Sequence, residues 1–366
     1  MEDHFWLARR KLGAGPAMRA VVVENTGPPS VLRVTDVVAR EPGPREIRIA
    51  VDACGVCFHD VVVRNGTFRR GVRMPVVLGH EVAGVIEKLG SEVRGLVPGD
   101  RVATTTYSHV CGCCRHCRGG HETSCSERVF LGDAGLNGGY AELVCVDADA
   151  AVRVPAGIAL EQACIAACTI GTELNAIRDV GRVRIGERVL VTGAGGGLGL
   201  HGVQLSRLAG AFTIAATTSP AKAARIREAG ADEVIIVERG VDFSGEVRRL
   251  TDERGVDAVI DNVGTPVFPS VRRSVAEDGR IVLVGQLTGD FIPINPAQLF
   301  LRNISILTAK GVSRAQLADS LDLVARRRVT AVVDDVFGLD GAAEAHELVE
   351  AGRSTGRLVL APTKAN

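Results

Sequence analysis

The stretch Arg188-Val-Leu-Val-Thr-Gly-Ala-Gly-Gly-Gly-Leu-Gly199 decides the fold. Its first five residues read as a buried strand, the glycines as a tight turn, and the apolar spacing up to Leu208 as a helix. Glycines in such a turn let backbone N–H groups approach a pyrophosphate at the helix N-terminus, where the helix dipole favours negative charge. Taken alone, a glycine-rich turn is weak evidence, so its surroundings matter.

Those surroundings alternate between strands and helices. Strands are predicted at 188–192, 212–216, 233–237, 258–261, 281–284 and 304–309. Helices are predicted from the end of the glycine-rich turn through Leu208, at 221–229 and at 314–327. Strands that alternate with helices at this spacing form βαβ units and a parallel sheet. The turn therefore lies inside a predicted doubly wound α/β domain.

The chain before this region has a different character. Short β-branched runs at 20–24, 46–53, 81–88 and 101–105 are separated by glycine and proline. This pattern predicts a small antiparallel β-rich domain that starts near Met18, after an extension of residues 1–17. A last apolar run at 356–360 predicts a strand that could return to this domain.

Composition excludes several classes of function. The chain has 366 residues, 43 basic and 43 acidic, so it offers no net charge to attract nucleic acid or an anionic membrane. No apolar run approaches the ~18–20 residues of a membrane helix. The first residues lack the apolar core of a signal peptide. We therefore expect a cytoplasmic protein with a small-molecule substrate, no nucleic-acid partner and no membrane contact.

Ten cysteines in a reducing compartment point to metal binding or catalysis more than to disulfides. Cys111, Cys114, Cys117 and Cys125 have the spacing of a closed tetrahedral zinc site, which is structural because it leaves no position for substrate. An iron–sulfur cluster uses the same ligand type, and unrelated thiols are the remaining alternative. Cys113, between two of the proposed ligands, is the spare thiol.

A second set of metal-binding residue types is dispersed along the chain. Cys57, His80 and Cys168 would leave a fourth zinc position free for catalysis. Asp60 is a candidate acceptor for the His80 ring, and Glu81 could approach the metal. Each residue alone is weak evidence, and composition cannot bring positions 57, 80 and 168 together.

Several motifs together carry a family resemblance. The segment Gly79-His80-Glu81-Val-Ala-Gly-Val-Ile-Glu-Lys-Leu-Gly-Ser-Glu-Val93 resembles the zinc signature of the medium-chain dehydrogenase/reductase family, the zinc alcohol dehydrogenases. The motif Cys54-Gly-Val-Cys57, the four-cysteine segment, Gly138-Gly-Tyr-Ala-Glu142 and Cys168 come in that family's order. The resemblance covers the chain from Met18 to its C-terminus.

The resemblance implies a fold and a ligand set. It implies an α/β protein with a GroES-like β-rich catalytic domain (18–169 and 310–366) and a doubly wound Rossmann domain (170–309). It also implies two zinc ions per chain, a catalytic one on Cys57, His80 and Cys168 and a structural one on the four-cysteine segment. Cys54 and Cys164 match no ligand position and are interpreted as packed thiols. A homodimer or homotetramer is expected through the 304–309 strand, although that edge could instead be covered within one chain.

The glycine spacing and the next strand bear on the cofactor. Gly193-x-x-Gly196-x-x-Gly199 is similar to the quinone-reductase and enoyl-reductase branches of the family. The strand that follows the glycine-rich turn and its helix, predicted at 212–216, ends without the carboxylate that would bind a free ribose 2′-hydroxyl. NADP(H), whose ribose carries a 2′-phosphate, is therefore preferred over NAD(H). Predicted cofactor-binding residues are Thr172, Gly193, Ala194, Gly195, Gly196, Gly197, Leu198, Gly199, Thr217, Thr218, Ser219, Lys222, Asn262, Val263, Val284 and Gly285.

The reaction is less well defined by the sequence. The residues predicted to take part in catalysis are Cys57, His59, Asp60, His80, Glu81 and Cys168. In alcohol dehydrogenases of the family, a serine or threonine two residues after the first ligand relays the alcohol proton. Here that position is His59, whose imidazole could shuttle the proton, and Val62 replaces a second relay histidine.

Three functions are consistent with these residues. The first expectation is zinc-dependent hydride transfer between NADP(H) and an alcohol, aldehyde or ketone. The alternatives are reduction of an α,β-unsaturated carbonyl or acyl-CoA, and a catalytically silent relative. Four arginines between the first two ligands could bind an anionic substrate or form a solvated basic loop, namely Arg64, Arg69, Arg70 and Arg73.

Overall fold

The computed structural model describes residues 15–364, so most of the predicted extension (residues 1–14) lies outside the described residues. The first eleven strands, in chain order, are β1 (Ala17–Val23), β2 (Arg33–Val38), β3 (Glu46–Val56), β4 (Arg73–Val77), β5 (Glu81–Leu89), β6 (Arg101–Thr104), β7 (Tyr107–His109), β8 (Val129–Phe130), β9 (Ala134–Gly135), β10 (Leu143–Asp147) and β11 (Ala151–Arg153). The others are β12 (Arg188–Val191), β13 (Phe212–Thr217), β14 (Glu233–Ile236), β15 (Val256–Asp261), β16 (Val275–Leu283), β17 (Ser305–Thr308), β18 (Val333–Phe337) and β19 (Arg357–Leu360).

Eleven α-helical segments are described. They are α1 (Phe58–Arg64), α2 (Arg115–Arg118), α3 (Leu160–Cys164), α4 (Thr172–Leu174), α5 (Gly197–Leu208), α6 (Ala223–Glu228), α7 (Ser244–Arg249), α8 (Phe268–Ser274), α9 (Ala297–Phe300), α10 (Arg314–Ala325) and α11 (Ala342–Glu350). Two π-helical segments, Ala166–Gly171 and Asn175–Val180, flank α4. Among residues 15–364, no helix has the length and apolar character that a membrane span requires.

Six parallel strands form the sheet predicted around the glycine-rich turn. Their order is β14-β13-β12-β15-β16-β17, which is the 3-2-1-4-5-6 order of a doubly wound dinucleotide-binding domain. The register pairs Leu190 of β12 with Ile214 on one side and Val259 on the other. All three side chains are buried, as expected for a parallel strand that is covered on both faces. The predicted α/β fold class is confirmed.

The β-rich part consists of two main sheets. Strands β11, β6, β5, β3, β19 and β18 form one sheet in that order, with β10 paired to β3, and β2, β1, β4 and β9 form the other. Ile47, Ile49 and Ile86 pack between them in a buried apolar cluster. The closing strand β19 pairs with β3 through Leu358 and Val56, so the C-terminal segment returns to the sheet of the N-terminal part.

The helical segment 160–180 connects the two parts of the molecule. α3 packs on β3 and β5, and the turns after it pack on α5 and α10. One buried apolar cluster runs through this contact, from Ala53 and Ala83 of the β-rich sheet to Val189 of the parallel sheet and Leu200 of helix α5. Residues near the middle of this segment therefore lie between the two sheets.

Candidate active site

Cys57 lies at the N-terminus of α1 because Cys57 and Asp60 form a capping box. The Cys57 thiol accepts from the Asp60 N–H, and the Cys57 N–H donates to Oδ2 of Asp60 at 2.9 Å. A thiolate is favoured at a helix N-terminus, where the helix dipole is positive. The spacing Cys-x-x-Asp thus fixes both the position and the reactivity of Cys57.

His80 comes after a backbone turn that only glycine accommodates easily. Gly79 has φ +96°, and a Cβ there would lie 2.5 Å from the Tyr140 ring and 2.7 Å from the Cys54 sulfur. The turn places His80 Nδ1 3.2 Å from Asp60 Oδ1, and that oxygen also accepts from the Gly79 N–H at 3.2 Å. With Nδ1 held by a carboxylate, Nε2 is the ring nitrogen that remains for a metal.

Cys168 joins Cys57 and His80 from the π-helical segment Ala166–Gly171. The ligand atoms of Cys57, His80, Glu81 and Cys168 all lie within 4.8 Å of one another, and the two sulfurs are 3.9 Å apart. Tetrahedral zinc with Zn–S bonds of about 2.3 Å requires a sulfur separation of about 3.8 Å. The three residues and the nearby Glu81 carboxylate therefore fit a zinc ion.

Charges around this cluster favour a metal. The hydrogen bond from Cys168 and the nearby Arg357 hold the pKa of Cys57 well below that of an ordinary thiol, although burial opposes the shift. Burial lowers the pKa of His80, but Asp60 outweighs it and raises the net value. Burial raises the pKa of Glu81 to about 7, with Arg357 acting against it. Burying the Cys57 thiolate or the Glu81 carboxylate without a compensating positive charge is costly, and a bound divalent cation would remove that cost.

Arg357 lies in the candidate site, and no sequence motif had indicated it. Its guanidinium is buried, lies 2.8 Å from the Glu81 carboxylate and donates through Nε to the Thr169 hydroxyl at 2.9 Å. It also touches the glycine-rich turn, because a Cβ on Gly197 would lie 3.1 Å from Arg357 Cζ. An arginine that begins the otherwise apolar strand 357–360 is the signal that could have indicated it.

His59 lies beside the metal ligands and is anchored by a carboxylate. Its Nε2 is 2.8 Å from Asp133 Oδ1, and its ring centroid is 5.3 Å from that of His80. Phe68 and Phe130 cover the ring at centroid distances of 5.1 and 4.8 Å. His59 keeps 26% of its side-chain surface exposed, so it remains accessible to a small molecule. Asp133 belongs to none of the sequence motifs, and its contact with His59 was not predicted.

One of the four arginines between the first two ligands cannot meet a substrate. Arg64 is 1% exposed, and its Nη2 pairs with Glu350 of α11 at 2.5 Å. The prediction that Arg64 could bind an anionic substrate is therefore wrong, because α1 turns this side chain into the protein. Arg69, Arg70 and Arg73 are exposed.

The four clustered cysteines meet as the sequence spacing predicts. Sulfur–sulfur distances are 3.9 Å between Cys111 and Cys117, 3.6 Å between Cys114 and Cys117, and 3.6 Å between Cys125 and Cys111. They are close to the separation of about 3.8 Å expected around tetrahedral zinc. Backbone N–H groups lower the pKa of Cys111 to about 6. The Cys113 thiol lies outside this group and is exposed, whereas Cys54 and Cys164 are buried thiols.

The glycine-rich turn has the geometry that a dinucleotide requires. Gly193 adopts φ +60°, and a Cβ on Gly199 would lie 2.3 Å from the Gly193 carbonyl oxygen. Helix α5 can therefore begin close to the end of β12, with its N-terminus open to an anion. The ends of β15 and β16 lie beside it, where Val284 and Gly285 both donate to the Asp261 carbonyl.

Residues at the end of β13 surround the expected ribose position. Thr217 is buried and its hydroxyl accepts from the Ser219 N–H at 3.2 Å, while Thr218 is exposed. The Lys222 stem packs against Gly195, but its ammonium donates to the carbonyls of Gly352 and Ser354. Lys222 is thus held by the turn before β19, which the sequence did not indicate.

Similarity to known proteins agrees with this geometry. Residues 43–156 match the alcohol dehydrogenase GroES-like domain, and residues 197–326 match the zinc-binding dehydrogenase family. An acryloyl-coenzyme A reductase of Sulfurisphaera tokodaii is 32% identical over 353 residues, which cover 94% of this chain and 100% of that protein. The chain belongs to the zinc-containing medium-chain dehydrogenase/reductase family. It is an NAD(P)-dependent oxidoreductase of that family, as the sequence predicted.

Two further relatives are similar to this dehydrogenase/reductase over nearly its whole length. An NAD-dependent alcohol dehydrogenase of Saccharolobus solfataricus is 32% identical, with 94% of this chain and 100% of the relative covered. The crystal structure of AibC superimposes with a TM-score of 0.87 at 39% identity, covering 100% of this chain and 99% of that one. The predicted combination of a GroES-like and a Rossmann domain is confirmed by these matches.

Proposed function

We propose that the protein is an NADP(H)-dependent zinc reductase of α,β-unsaturated thioesters. One observation carries this choice over alcohol oxidation. The two positions that relay an alcohol proton in the family hold an imidazole anchored by Asp133 and the hydrocarbon of Val62. A hydroxyl relay therefore cannot run through these positions, and we assign the partly exposed His59 imidazole, which lies beside the metal ligands, to protonation of a substrate carbon. The acryloyl-coenzyme A reductase relative supports a thioester substrate.

We assign Cys57, His80 and Cys168 to a catalytic zinc and the four-cysteine segment to a structural zinc. Bound there, zinc would supply Lewis-acid polarisation of the substrate carbonyl, and a reduced nicotinamide held at the glycine-rich turn would supply the hydride. His59 gives a proton to the α-carbon, so that one alkene gains two hydrogens and the thioester remains intact. Asp133 holds the imidazole in place, and Phe130 restricts water around it.

The proposed preference for NADP(H) rests on the segment directly after β13. Thr217, Thr218 and Ser219 supply no carboxylate, so nothing there repels a 2′-phosphate. Arg225 is exposed one turn beyond this segment and adds positive charge. A KM for NADPH at least tenfold below that for NADH is expected, and equal values would contradict the preference.

The proposed domain limits are 18–169 with 310–366 for the catalytic domain and 170–309 for the Rossmann domain. The pairing of β19 with β3 supports the return of the C-terminal segment. The zinc-binding dehydrogenase match extends to residue 326, beyond the second proposed limit. Helix α10 explains this overlap, because Leu317 and Leu321 belong to the apolar cluster shared by both parts.

The substrate class is tested with a matched pair, acryloyl-CoA and propionaldehyde, each with NADPH and zinc-loaded protein. We expect propionyl-CoA from the first and little propanol from the second. Replacement of His59 by Phe should lower kcat for the thioester by about 100-fold, the low end for loss of an acid–base group. Arg70→Gln, at an exposed position in the same segment, tests whether the basic loop contributes to the KM for the CoA ester.

The second candidate is reversible reduction of aldehydes or ketones. It is favoured by the complete Cys57, His80 and Cys168 set and by the alcohol dehydrogenase relative. Efficient conversion of propionaldehyde to propanol, with acryloyl-CoA unreacted, would establish this function and refute the thioester proposal.

A further inference from the structure

His346 is a buried imidazole without a role in the reaction proposed above. It lies on α11, is 0% exposed, and its Nε2 is 3.1 Å from the Tyr140 hydroxyl. Its Nδ1 has no hydrogen-bond partner among residues 15–364. Burying an imidazole with one nitrogen unpaired is costly, and a leucine would avoid that cost. What the imidazole provides here, and a leucine could not, is the hydrogen bond to Tyr140.

Tyr140 connects His346 to the proposed zinc ligands. Its hydroxyl donates to Asp60 Oδ2 at 3.2 Å, and Asp60 Oδ1 lies 3.2 Å from His80 Nδ1. Tyr140, Asp60 and His80 are each at most 1% exposed, so water does not compete for these contacts. A buried chain of hydrogen bonds therefore runs from α11 through Tyr140 and Asp60 to His80.

The direction of the middle bond follows from the other partners of Asp60. The backbone N–H groups of Cys57 and Gly79 both donate to this side chain, which therefore acts as an acceptor. The single hydrogen of the Tyr140 hydroxyl points to Asp60, and the phenol oxygen remains free to accept a hydrogen bond. The group that faces this oxygen is His346 Nε2.

One tautomer of His346 satisfies this arrangement. Burial lowers the pKa of His346 to about 4, with Asp60 acting against burial and Arg64 acting with it, so the imidazole is neutral. With its proton on Nε2, it donates to the Tyr140 oxygen. With its proton on Nδ1, it would draw the phenol hydrogen away from Asp60 and bury an N–H without an acceptor.

A second contact holds α11 against the helix that begins after Cys57. Glu350 lies one turn after His346, and its Oε1 is 2.5 Å from Nη2 of buried Arg64, the last residue of α1. Residues four apart lie on the same face of a helix. One face of α11 therefore contacts α1 directly through Glu350 and reaches Asp60, in the first turn of α1, through His346 and Tyr140.

We propose that His346 is a positioning residue for the candidate zinc site, where its Nε2–H donates to the Tyr140 hydroxyl and so directs the phenol hydrogen to Asp60. The carboxylate is thereby held in the orientation in which its other oxygen meets His80 Nδ1. This inference rests on the catalytic zinc site of the proposed function, but not on the substrate or on the preference for NADP(H).

The test removes zinc from the fully loaded protein with a graded series of chelators, and the ion of the four-cysteine segment is the internal reference. Tyr140→Phe should weaken binding of the catalytic ion by about tenfold, the low end for loss of a group that supports a ligand. His346→Leu should weaken it by about fivefold, the size of one neutral hydrogen bond. His346→Gln keeps an N–H donor at the place of Nε2, so its affinity should stay within about twofold of the wild type.

Two further measurements separate positioning from simple packing. Tyr140→Phe/His346→Leu should lose no more zinc affinity than Tyr140→Phe alone, because His346 acts through the hydroxyl. Nitrogen NMR of the wild type should show His346 protonated on Nε2 and not on Nδ1 at neutral pH. Glu347→Gln, at an exposed position on α11, is the matched control and should bind both ions as the wild type does.

The outcomes distinguish this inference from the proposed function. Wild-type zinc affinity in Tyr140→Phe, equal weakening in His346→Gln and His346→Leu, or a proton on Nδ1 would overturn the role of His346 alone. If His346→Leu does not fold, Tyr140→Phe, His346→Gln and the tautomer still decide the question. A wild type that binds zinc only at the four-cysteine segment would refute the catalytic zinc site, and this inference with it.

Discussion

Asp60 organises the candidate catalytic centre at the level of single residues. Its two oxygens meet His80 Nδ1, the N–H groups of Cys57 and Gly79, and the Tyr140 hydroxyl. Four contacts from three segments converge on one buried carboxylate. Burial raises the pKa of Asp60, but the nearby imidazoles, His80 foremost, outweigh this effect and lower the net value. Asp60 therefore holds two proposed zinc ligands in a fixed relation before any metal binds.

Replacing Asp60 by Asn should weaken zinc binding by about 10–100-fold, as is typical when the partner of a ligating histidine is lost. The amide would direct a donor toward the Cys57 N–H and the Tyr140 hydroxyl, which both donate to Oδ2. Competition with a zinc chelator measures the affinity, and the cobalt-substituted spectrum reports ligand geometry. Asp149→Asn, at an exposed position, is the control. Unchanged zinc affinity in Asp60→Asn would contradict this role.

Arg357 should matter for stability as well as for the site. Its removal leaves Glu81 as a buried carboxylate without its partner, which typically costs about 3–5 kcal/mol. Arg357→Met should therefore lower the free energy of unfolding in urea by that amount, and Arg357→Met/Glu81→Gln should recover part of the loss. A loss below about 1 kcal/mol in the single variant would show that the ion pair is not important for folding.

The residues that sequence could and could not identify differ in a physical way. Cys57, His80 and Cys168 could be predicted as one ligand set only because they lie in motifs that resemble those of a known family, since each is weak evidence alone. Asp133 and Arg357 act through partners 74 and 188 residues away, as the contacts to His59 and Thr169 show. Such contacts depend on how strands far apart in the sequence pair with one another. Local patterns in a single sequence do not reveal that pairing.

At the scale of elements, the segment 111–125 depends on its cysteines. Tyr107, Val110 and Cys125 are the buried residues of its apolar cluster, too few for an independent core. Cys114→Ser should remove one zinc per chain and increase amide hydrogen exchange across 111–125. The matched variant Cys113→Ser changes the exposed neighbouring thiol and should retain both zinc ions and the exchange protection. Equal behaviour of the two variants would show that the cluster does not bind zinc.

Regular elements were predicted better than irregular ones for a clear reason. Most ends of the strands in the parallel sheet were predicted to within a few residues, because their apolar runs are bounded by glycine and charged residues. The predicted helix 221–229 is a 3₁₀ turn at Pro220–Lys222 and then a helix at Ala223–Glu228. The π-helical turn that presents Cys168 has no marker in local propensity, and its packing partners, helices α5 and α10 and strands β5 and β6, are distant in sequence or separated from it by loops.

At the scale of the whole molecule, the reaction centre exists only where the two parts meet. Cys57 and His80 come from the β-rich part, whereas Cys168 comes from the segment that leads into the parallel sheet. Arg357 of β19 touches both Glu81 and the glycine-rich turn. The proposed nucleotide site and the proposed zinc site therefore share one side chain, that of Arg357.

The parallel sheet ends at β17, which makes it the expected site of self-association. β17 is the last strand in the sheet order, and the segment before it exposes Phe291, Phe300 and Leu301 at 96%, 69% and 72%. An open strand edge beside exposed apolar side chains is typical of an interface. Light scattering should therefore give two or four times the mass of one chain. Phe291→Asp/Leu301→Asp should shift the protein toward the monomer with the zinc content unchanged, whereas a monomeric wild type would mean that this edge stays unpaired in solution.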